Sequence, residues 1–192
     1  VAWASVNGPG DSHPSRRDGE RMIVESCFRP SSGEADALPF NALLAAALEK
    51  TVNVKLFPRT EVQVTVHELQ ADGSVYALGL TAAGMAMLDA GVPMRGPLCG
   101  VQVVKVGDDL IVDPDAATEE KASASFLFAY SCEEHTTPGV PLRAVDVASH
   151  SWGPYTLAEW RLARDIGAKG AAEIFAFFRE SLQRKHTTET IG

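Results

Sequence analysis

Cysteine is scarce in this sequence, and its spacing excludes the structural uses that small proteins make of it. Only three occur among 192 residues, at Cys27, Cys99 and Cys132, and no CxxC motif is present. An odd number of widely spaced cysteines argues against a disulfide framework and favours a reducing compartment. Cys132 and His135 have loose metal-ligand spacing, but one thiolate and one imidazole do not complete a structural zinc site. We therefore expect neither disulfides nor zinc.

Long apolar runs and an excess of basic residues are also missing. No run approaches the roughly 20 apolar residues of a membrane span, and the first residues lack a signal-peptide pattern. The formal net charge is −8, whereas a protein that grips nucleic acid alone shows a basic surface. The sequence also lacks a P-loop, a dinucleotide fingerprint and a nucleophile elbow. We expect no membrane partner, and we expect any RNA to be held with help from neighbouring proteins.

Residues 57–100 carry the clearest pattern of the chain. Val62, Val64 and Val66 alternate with polar residues, which is the period of a strand with one apolar face. A turn is predicted at Ala71-Asp72-Gly73-Ser74, and a helix follows over 78–90. That helix is apolar on nearly all sides, which predicts that it is buried. Gly91 and Pro93 are typical of residues that end a helix.

The remaining segments predict further strands and two more helices. Strands are expected over 1–6, 21–29, 98–106, 110–112 and 124–131, and a helix over 40–53. A capping box of Thr156 and Glu159 begins the last helix, whose apolar face is interrupted near Gly167 and Gly170. Residues 132–154 contain several prolines and glycines and are predicted to form a surface excursion. Without regular βαβ alternation, these elements indicate one domain of the mixed-sheet α/β or α+β class.

The order of these features resembles the RNase PH superfamily. In that family a strand containing Pro-Arg-Thr, a turn of the Ala-Asp-Gly-Ser type and a helix ending in Asp-Ala-Gly-x-Pro-Met follow one another, as they do here from Pro58 to Met94. The resemblance implies the RNase PH fold, an α/β (α+β) fold like ribosomal protein S5 domain 2, with mixed β-sheets and packed helices. It also implies a single domain over 1–186 that lacks its first N-terminal hairpin, followed by a disordered tail over 187–192.

Further segments resemble the RNA exosome ring subunits of this superfamily. They are the opening Ala2-Trp3-Ala4-Ser5-Val6, the stretch from Leu110 to Pro114 with Glu119-Glu120 after it, and the stretch from Phe177 to Arg184. The resemblance implies other RNase PH-like ring subunits, cap proteins and single-stranded RNA as partners. It also implies a location in the nucleus, nucleolus and cytoplasm. For the isolated chain we expect a homodimer.

The residues that hold phosphate in phosphorolytic relatives are changed here. Phosphorolysis needs a positive cradle because negative charge concentrates in its transition state. The resemblance implies an arginine pair before the first helix and a Ser-Arg sequence at the turn. The corresponding residues here are Ser31-Ser32-Gly33-Glu34-Ala35-Asp36-Ala37 and Ser74-Val75. We therefore expect a degenerate phosphate position at Ser74, no catalytic residues, no cofactor, and a structural role without phosphorolysis.

An acidic cluster leaves an enzymatic alternative open. The resemblance implies that two carboxylate positions of the family fall on Asp113 and Glu119, and that a third falls near Ser125. In this alternative Asp113, Glu119 and Glu120 are catalytic, and Asp113 with Glu119 holds Mg²⁺. The chain would then be a hydrolytic or weakly phosphorolytic 3′–5′ exoribonuclease. The other interpretation is a solvated acidic loop that binds no metal.

Four arginines are the candidate RNA contacts. Arg16 and Arg17 lie in a polar loop, Arg59 opens a strand, and Arg95 follows Pro93-Met94. Arginine is suited to this role because phosphate neutralisation supplies most of the affinity for nucleic acid. The alternatives are a solvated patch for Arg16 and Arg17, a structural salt bridge for Arg59 and a protein contact for Arg95.

Overall fold

The computed structural model describes residues 1–31, 38–132 and 143–191. In chain order its elements are β1 (Ala2–Asp11), β2 (Ile23–Arg29), α1 (Leu38–Thr51), β3 (Thr60–Glu68), α2 (Val75–Asp89), β4 (Leu98–Val106), β5 (Asp109–Val112), α3 (Ala116–Glu119), β6 (Ala124–Cys132), β7 (Ala144–Trp152) and α4 (Leu157–Ile191). The strands form two sheets, with the orders β1-β3-β2 and β5-β4-β6-β7. The predicted mixed-sheet class is confirmed, because β3 pairs antiparallel with β1 and parallel with β2.

The inward face of the three-stranded sheet follows the predicted alternation. Val62, Val64 and Val66 of β3 are fully buried, whereas the residues between them are more exposed. The apolar stripe predicted for α1 belongs to the same core, since its members are all buried: Phe40, Leu43, Leu44, Ala47 and Leu48. Burying a large aliphatic or aromatic side chain contributes about 2 kcal/mol, so this layer supplies much of the stability.

Helix α2 lies between the two sheets, in contact with β1 and β3 of one and with β4 of the other. Its burial was predicted from its composition and is confirmed on the side that faces the sheets, for example at Leu80, Ala83 and Met87, whereas Leu78 is 39% exposed. Small residues allow a close approach to β4, because a Cβ at Gly84 would lie only 1.9 Å from the carbonyl oxygen of Leu98. The helix is therefore the central element of the domain.

Helix α4 covers the other face of the four-stranded sheet. Phe175 and Phe178 of α4 share a core with Phe126, Phe128 and Tyr130 of β6. Every residue of β6 is buried, because helices or strands lie on both of its faces and at both of its edges. This strand therefore has no solvent-facing side.

The structure corrects the prediction that residues 132–154 form a surface excursion. Residues 144–152 form β7, which pairs antiparallel with β6 from Cys132–Ala144 to Ser125–Trp152. An edge strand has one hydrogen-bonded neighbour, and β7 is half-buried at most, so its sequence needs few apolar residues and shows no strong pattern. Residues 133–142, which include His135 of the spacing considered for zinc, lie outside the described residues.

Helix α4 runs through the two glycines at which its apolar face is interrupted in the sequence. It passes through Gly167 and Gly170 without a break. Gly167 serves close packing, because a Cβ there would lie 2.7 Å from the Tyr130 hydroxyl oxygen. Residues 187–191 were predicted to be disordered, but they belong to the helix. No glycine or proline between Gly170 and Gly192 interrupts it. None of the described helices is long and apolar enough to cross a membrane.

The predicted capping box at the start of α4 is confirmed. The Thr156 N–H donates to Glu159 Oε2 at 2.7 Å, and the Glu159 N–H donates to Thr156 Oγ1 at 3.3 Å. Lys105 Nζ of β4 also donates to Glu159 Oε1, at 2.5 Å. The hydrogen bonds from Lys105 and Thr156 lower the pKa of Glu159 to about 2. This carboxylate therefore fastens the start of α4 to the sheet.

Candidate functional site

The turn that begins α2 is held in a left-handed conformation by a second segment of the chain. Gly73 has φ 86° and Ser74 has φ 51°. A Cβ at Gly73 would lie 2.2 Å from the Pro114 carbonyl oxygen, so only glycine fits at this position. Ser74 Oγ donates to the same carbonyl oxygen at 3.1 Å, and Ser74 is buried. The segment around Pro114 therefore fixes the position at which a Ser-Arg sequence would hold phosphate.

The carboxylate of Glu119 lies at the N-terminus of α2, where an external anion would otherwise be attracted. Glu119 Oε1 accepts hydrogen bonds from the Ser74 backbone N–H at 2.8 Å and from Gln102 Nε2 at 2.6 Å. Free N–H groups at a helix N-terminus favour negative charge, so they stabilise this internal carboxylate. Asp115 caps α3 by accepting from the Thr118 N–H at 2.9 Å. Hydrogen bonding with the Thr118 side chain and with its backbone N–H lowers the pKa of Asp115. The capped α3 presents Glu119 to the turn.

A cleft of about 340 Å³ opens beside this carboxylate. Val75, at the position of the family's arginine, lines the cleft together with Glu68, Glu119 and Trp152. None of the described residues that line it is a lysine, arginine or histidine. Two carboxylates without a neighbouring cation make the cleft unfavourable for a phosphate group.

Gln102 is the site residue that the sequence analysis missed. Its Nε2 bridges Glu119 and Ser125 Oγ, the latter at 3.2 Å. If the Gln102 amide were flipped, its oxygen would lie 2.6 Å from the Glu119 carboxylate oxygen, and both are acceptors. The contact with Glu119 therefore identifies the amide nitrogen of Gln102. Oε1 is buried and has no hydrogen-bond partner among the described residues. A sequence signal existed, because Gln102 is the one amide within the buried run of β4.

The carboxylates of the enzymatic alternative do not share one cleft. Glu119 lines the first cleft, whereas Asp113 lines a second one of about 530 Å³, beside Gly73 and Ser74. Glu120 is exposed. Nowhere in the described part of the chain do three or more His, Cys, Asp or Glu side chains form a group that could hold a metal ion. The residues proposed for Mg²⁺ are thus not assembled into a ligand set that fits it.

The segment that would carry the family's arginine pair is described only at Ser31. Its backbone N–H and Oγ donate to the Glu68 carboxylate at 3.1 and 2.9 Å. Residues 32–37, including Glu34 and Asp36, lie outside the described residues. At Ser31 the segment therefore presents a neutral hydroxyl to Glu68.

The four candidate RNA-contacting arginines approach one end of the three-stranded sheet, where β1 ends and β2 and β3 begin. Arg17 Nε donates to the Ser12 carbonyl at 3.0 Å, and Ser12 Oγ donates to the Arg59 carbonyl at 2.8 Å. The Arg95 N–H donates to the Thr51 carbonyl at 2.7 Å. Three residues after Thr51, the Val54 carbonyl accepts from the N–H of Met22, which directly precedes β2, also at 2.7 Å. Sequence positions far apart are therefore neighbours at this end.

Ion pairing distinguishes Arg16 from the other three. Its guanidinium pairs with Glu25 and with Glu61, the second pair at 3.7 Å. Four basic side chains at this end are exposed and have no carboxylate partner among the described residues. We call them the basic end: Arg17, Lys55, Arg59 and Arg95. Phe57 is 41% exposed beside this group. Proteins that bind single-stranded nucleic acid combine cations, which contact the phosphates, with aromatic rings, on which the bases stack.

Comparisons with known proteins show the family of this chain. Residues 1–93 match the RNase PH family model, described as the 3′ exoribonuclease family, domain 1. The exosome complex component RRP46 homolog of Caenorhabditis elegans is 36% identical over 184 residues, which are 95% of this chain and 83% of that protein. The exosome complex component Rrp41 of Archaeoglobus fulgidus is 29% identical over 194 residues, 95% of this chain and 73% of the relative.

Solved structures share the fold. The crystal structure of rice (Oryza sativa) Rrp46 matches with a TM-score of 0.82 at 19% identity, over 95% of this chain and 83% of that one. The crystal structure of Caenorhabditis elegans cell-death-related nuclease 5 matches with a TM-score of 0.67 at 25% identity, over 97% and 86%. The identity to the RRP46 homolog extends over nearly the whole chain, and it confirms what the Pro-Arg-Thr strand and the Ala-Asp-Gly-Ser turn predict: this chain belongs to the RNase PH family.

Proposed function

We propose that this chain is a non-phosphorolytic structural subunit of an RNA exosome core ring. In that ring it supports 3′-to-5′ RNA processing and degradation, including rRNA maturation. The observation that carries the proposal is the Glu119 carboxylate hydrogen-bonded to the Ser74 N–H in a cleft without a basic residue. A carboxylate of the protein already accepts from the Ser74 N–H, where a phosphate would otherwise bind, and Val75 cannot add a positive charge.

The assembly part of the proposal rests on similarity to proteins named as exosome components. The expected partners are other RNase PH-like ring subunits and cap proteins, and the expected location is the nucleus, nucleolus and cytoplasm. Exposed apolar side chains support an oligomer, since Trp152, Tyr155 and Leu157 are between 41% and 63% exposed. Without its ring partners the chain is expected to bury such surface in a homodimer.

The RNA part of the proposal rests on the basic end. Its four cations lie beside Phe57, and the rest of the protein is acidic, with a net charge of −8. Such a surface attracts one strand of RNA locally, while the affinity of the isolated chain stays low. The chain is thus expected to guide RNA through the ring together with its neighbours.

The test is a gel assay of the purified chain on end-labelled single-stranded RNA. The assay is run with and without phosphate and Mg²⁺, beside a variant that combines Asp113→Ala with Glu119→Ala. We expect no shortening of the RNA under any condition. Nucleoside diphosphate release that depends on phosphate would contradict the proposal. Cleavage that needs Mg²⁺ alone and is lost in the double variant would establish the nuclease alternative.

A second experiment tests assembly. The tagged chain is isolated from its own cells, and the native mass of the complex is measured together with the identity of its members. We expect a complex that contains other RNase PH-like subunits in equal number. Recovery of the chain only as a homodimer would contradict a place in the ring.

A further inference from the structure

A row of three side chains crosses the outer face of the three-stranded sheet. His67 of β3 lies directly opposite Trp3 of β1 and directly opposite Arg29 of β2. Residues opposite one another in adjacent strands point to the same side of a sheet. Their sequence neighbours Val66 and Phe28 are buried on the inward side. The row therefore faces away from the core.

Two members of this row are left uncovered by the residues that the structure describes. Trp3 is 65% exposed, although its ring contacts that of His67 at a centroid distance of 6.4 Å and an interplanar angle of 36°. Arg29 is exposed and forms no ion pair or hydrogen bond with its side chain among the described residues. An aromatic plane and a guanidinium without a partner among the described residues thus lie on either side of His67.

The surface beside the row is flat and accessible. The next row of the same face consists of Ser5, Thr65 and Cys27, which are all small. The carboxylate of Glu25 lies one row further on, where it is paired with Arg16. Neither a bulky side chain nor an unpaired carboxylate of these rows therefore blocks a ligand that lies across Trp3 and Arg29.

We propose that Trp3, His67 and Arg29, which we call the outer-face row, bind single-stranded RNA. A base stacks on the Trp3 ring, which accepts any base because every base has a π-face. Strands are spaced by about 4.8 Å, so Arg29 lies roughly 10 Å from Trp3 across the sheet. At that place its guanidinium meets a phosphate of the same strand, for which its charge and planar donors are complementary.

The outer-face row is distinct from the basic end. The basic end lies where β3 begins at Thr60, and His67 lies near the other end of the same strand. At about 3.3 Å per residue, the two surfaces are roughly 23 Å apart along β3. The proposal rests on the proposed function for its ligand class, and it adds a second contact that the sequence analysis did not identify.

The test measures the binding of a fluorescein-labelled single-stranded oligouridine to the full chain by fluorescence anisotropy. Trp3→Ala should weaken binding about tenfold, which is within the range for loss of one base–aromatic stack. Phe177→Ala removes an aromatic ring that is 61% exposed on α4, and it serves as the matched control with unchanged affinity. Arg29→Ala should reduce the salt slope of binding by about one phosphate, while Lys169→Ala should not.

The outcomes separate this proposal from the proposed function. If Arg59→Ala and Arg95→Ala weaken binding while Trp3→Ala and Arg29→Ala do not, the outer-face row is wrong and the basic end stands. If the wild-type chain binds no RNA, neither the outer-face row nor the basic end is an RNA-binding surface. If Trp3→Ala changes the molar mass of the chain in light scattering and leaves RNA affinity unchanged, the row is a protein contact and the RNA proposal is overturned.

Discussion

Replacing Glu119 by alanine should destabilise the domain and create an anion-binding site at the same time. The change removes the acceptor of the Ser74 N–H and of Gln102 Nε2, and both of these residues are less than 6% exposed. A hydrogen bond to a charged group contributes about 1.5–3 kcal/mol, and the open cleft lets water replace part of this. We therefore expect a loss of about 3 kcal/mol in the free energy of unfolding. For a domain of this size, this corresponds to a decrease of about 6–12 °C in Tm.

The vacated position should then accept a small anion. Formate reproduces the lost carboxylate, and at ten times its Kd it should restore about 1.4 kcal/mol to the Glu119→Ala variant. The wild-type protein should not respond, because its own carboxylate occupies the donors. Thermal unfolding followed by circular dichroism, with sodium formate and sodium chloride at matched ionic strength, measures both effects.

Glu120→Ala is the matched control for this experiment. Glu120 is the exposed neighbour of Glu119 on the same short segment, so its loss should change Tm by less than about 2 °C. Two results would refute the reasoning. One is a Glu119→Ala variant as stable as Glu120→Ala, and the other is an equal response of the wild type and the variant to formate.

Three further predictions concern other parts of the molecule. The lowered pKa of Glu159, about 2 against an ordinary 4.5, means that its stabilising effect is complete above pH 4.5 and is lost as the pH falls towards 2; the Tm difference between wild type and Glu159→Gln should therefore shrink over that interval, and a constant difference would contradict this. Gly84→Ala puts a Cβ against the Leu98 carbonyl and should cost about 3 kcal/mol in urea unfolding, whereas an unchanged midpoint would show that α2 can move away from β4. Arg59→Ala combined with Arg95→Ala should lower the salt slope of RNA binding by about two phosphates in anisotropy titrations, and an unchanged slope would remove the basic end from the RNA path.

The sequence predicts most of the secondary structure because its strongest signals are local. The alternation of Val62, Val64 and Val66 follows from burial on one face, and this prediction is confirmed. The apolar composition of α2 predicted a buried helix, and the helix is buried on the side that faces the sheets. Strand β7 was missed because an edge strand satisfies its hydrogen bonds with few apolar residues. The packing role of Gly167 was missed because the residue that it contacts, Tyr130, lies 37 positions earlier in the chain.

The site was predictable in its residues but not in their arrangement. Ser74, Val75 and Glu119 could be selected from the motif, and the prediction that the phosphate cradle is lost was based on them. The hydrogen bond between Glu119 and the Ser74 N–H joins positions 45 residues apart, so no local pattern reports it. The same holds for Asp113 and Glu119, which are six positions apart and yet line different clefts. Long-range pairing decides which carboxylate is hydrogen-bonded within the fold and which one is exposed.

The position of α2 between the two sheets has a consequence for how the domain folds. Residues 1–93, which match the family model, end just after α2, so a fragment cut there would keep the three-stranded sheet but leave one side of this helix bare. Leu80 and Met87 are fully buried in the complete chain, and part of their cover comes from β4. The two halves therefore cannot unfold one after the other without exposing a shared helix, which favours a single cooperative transition. The segment that matches the family model is therefore shorter than the segment that we expect to fold cooperatively.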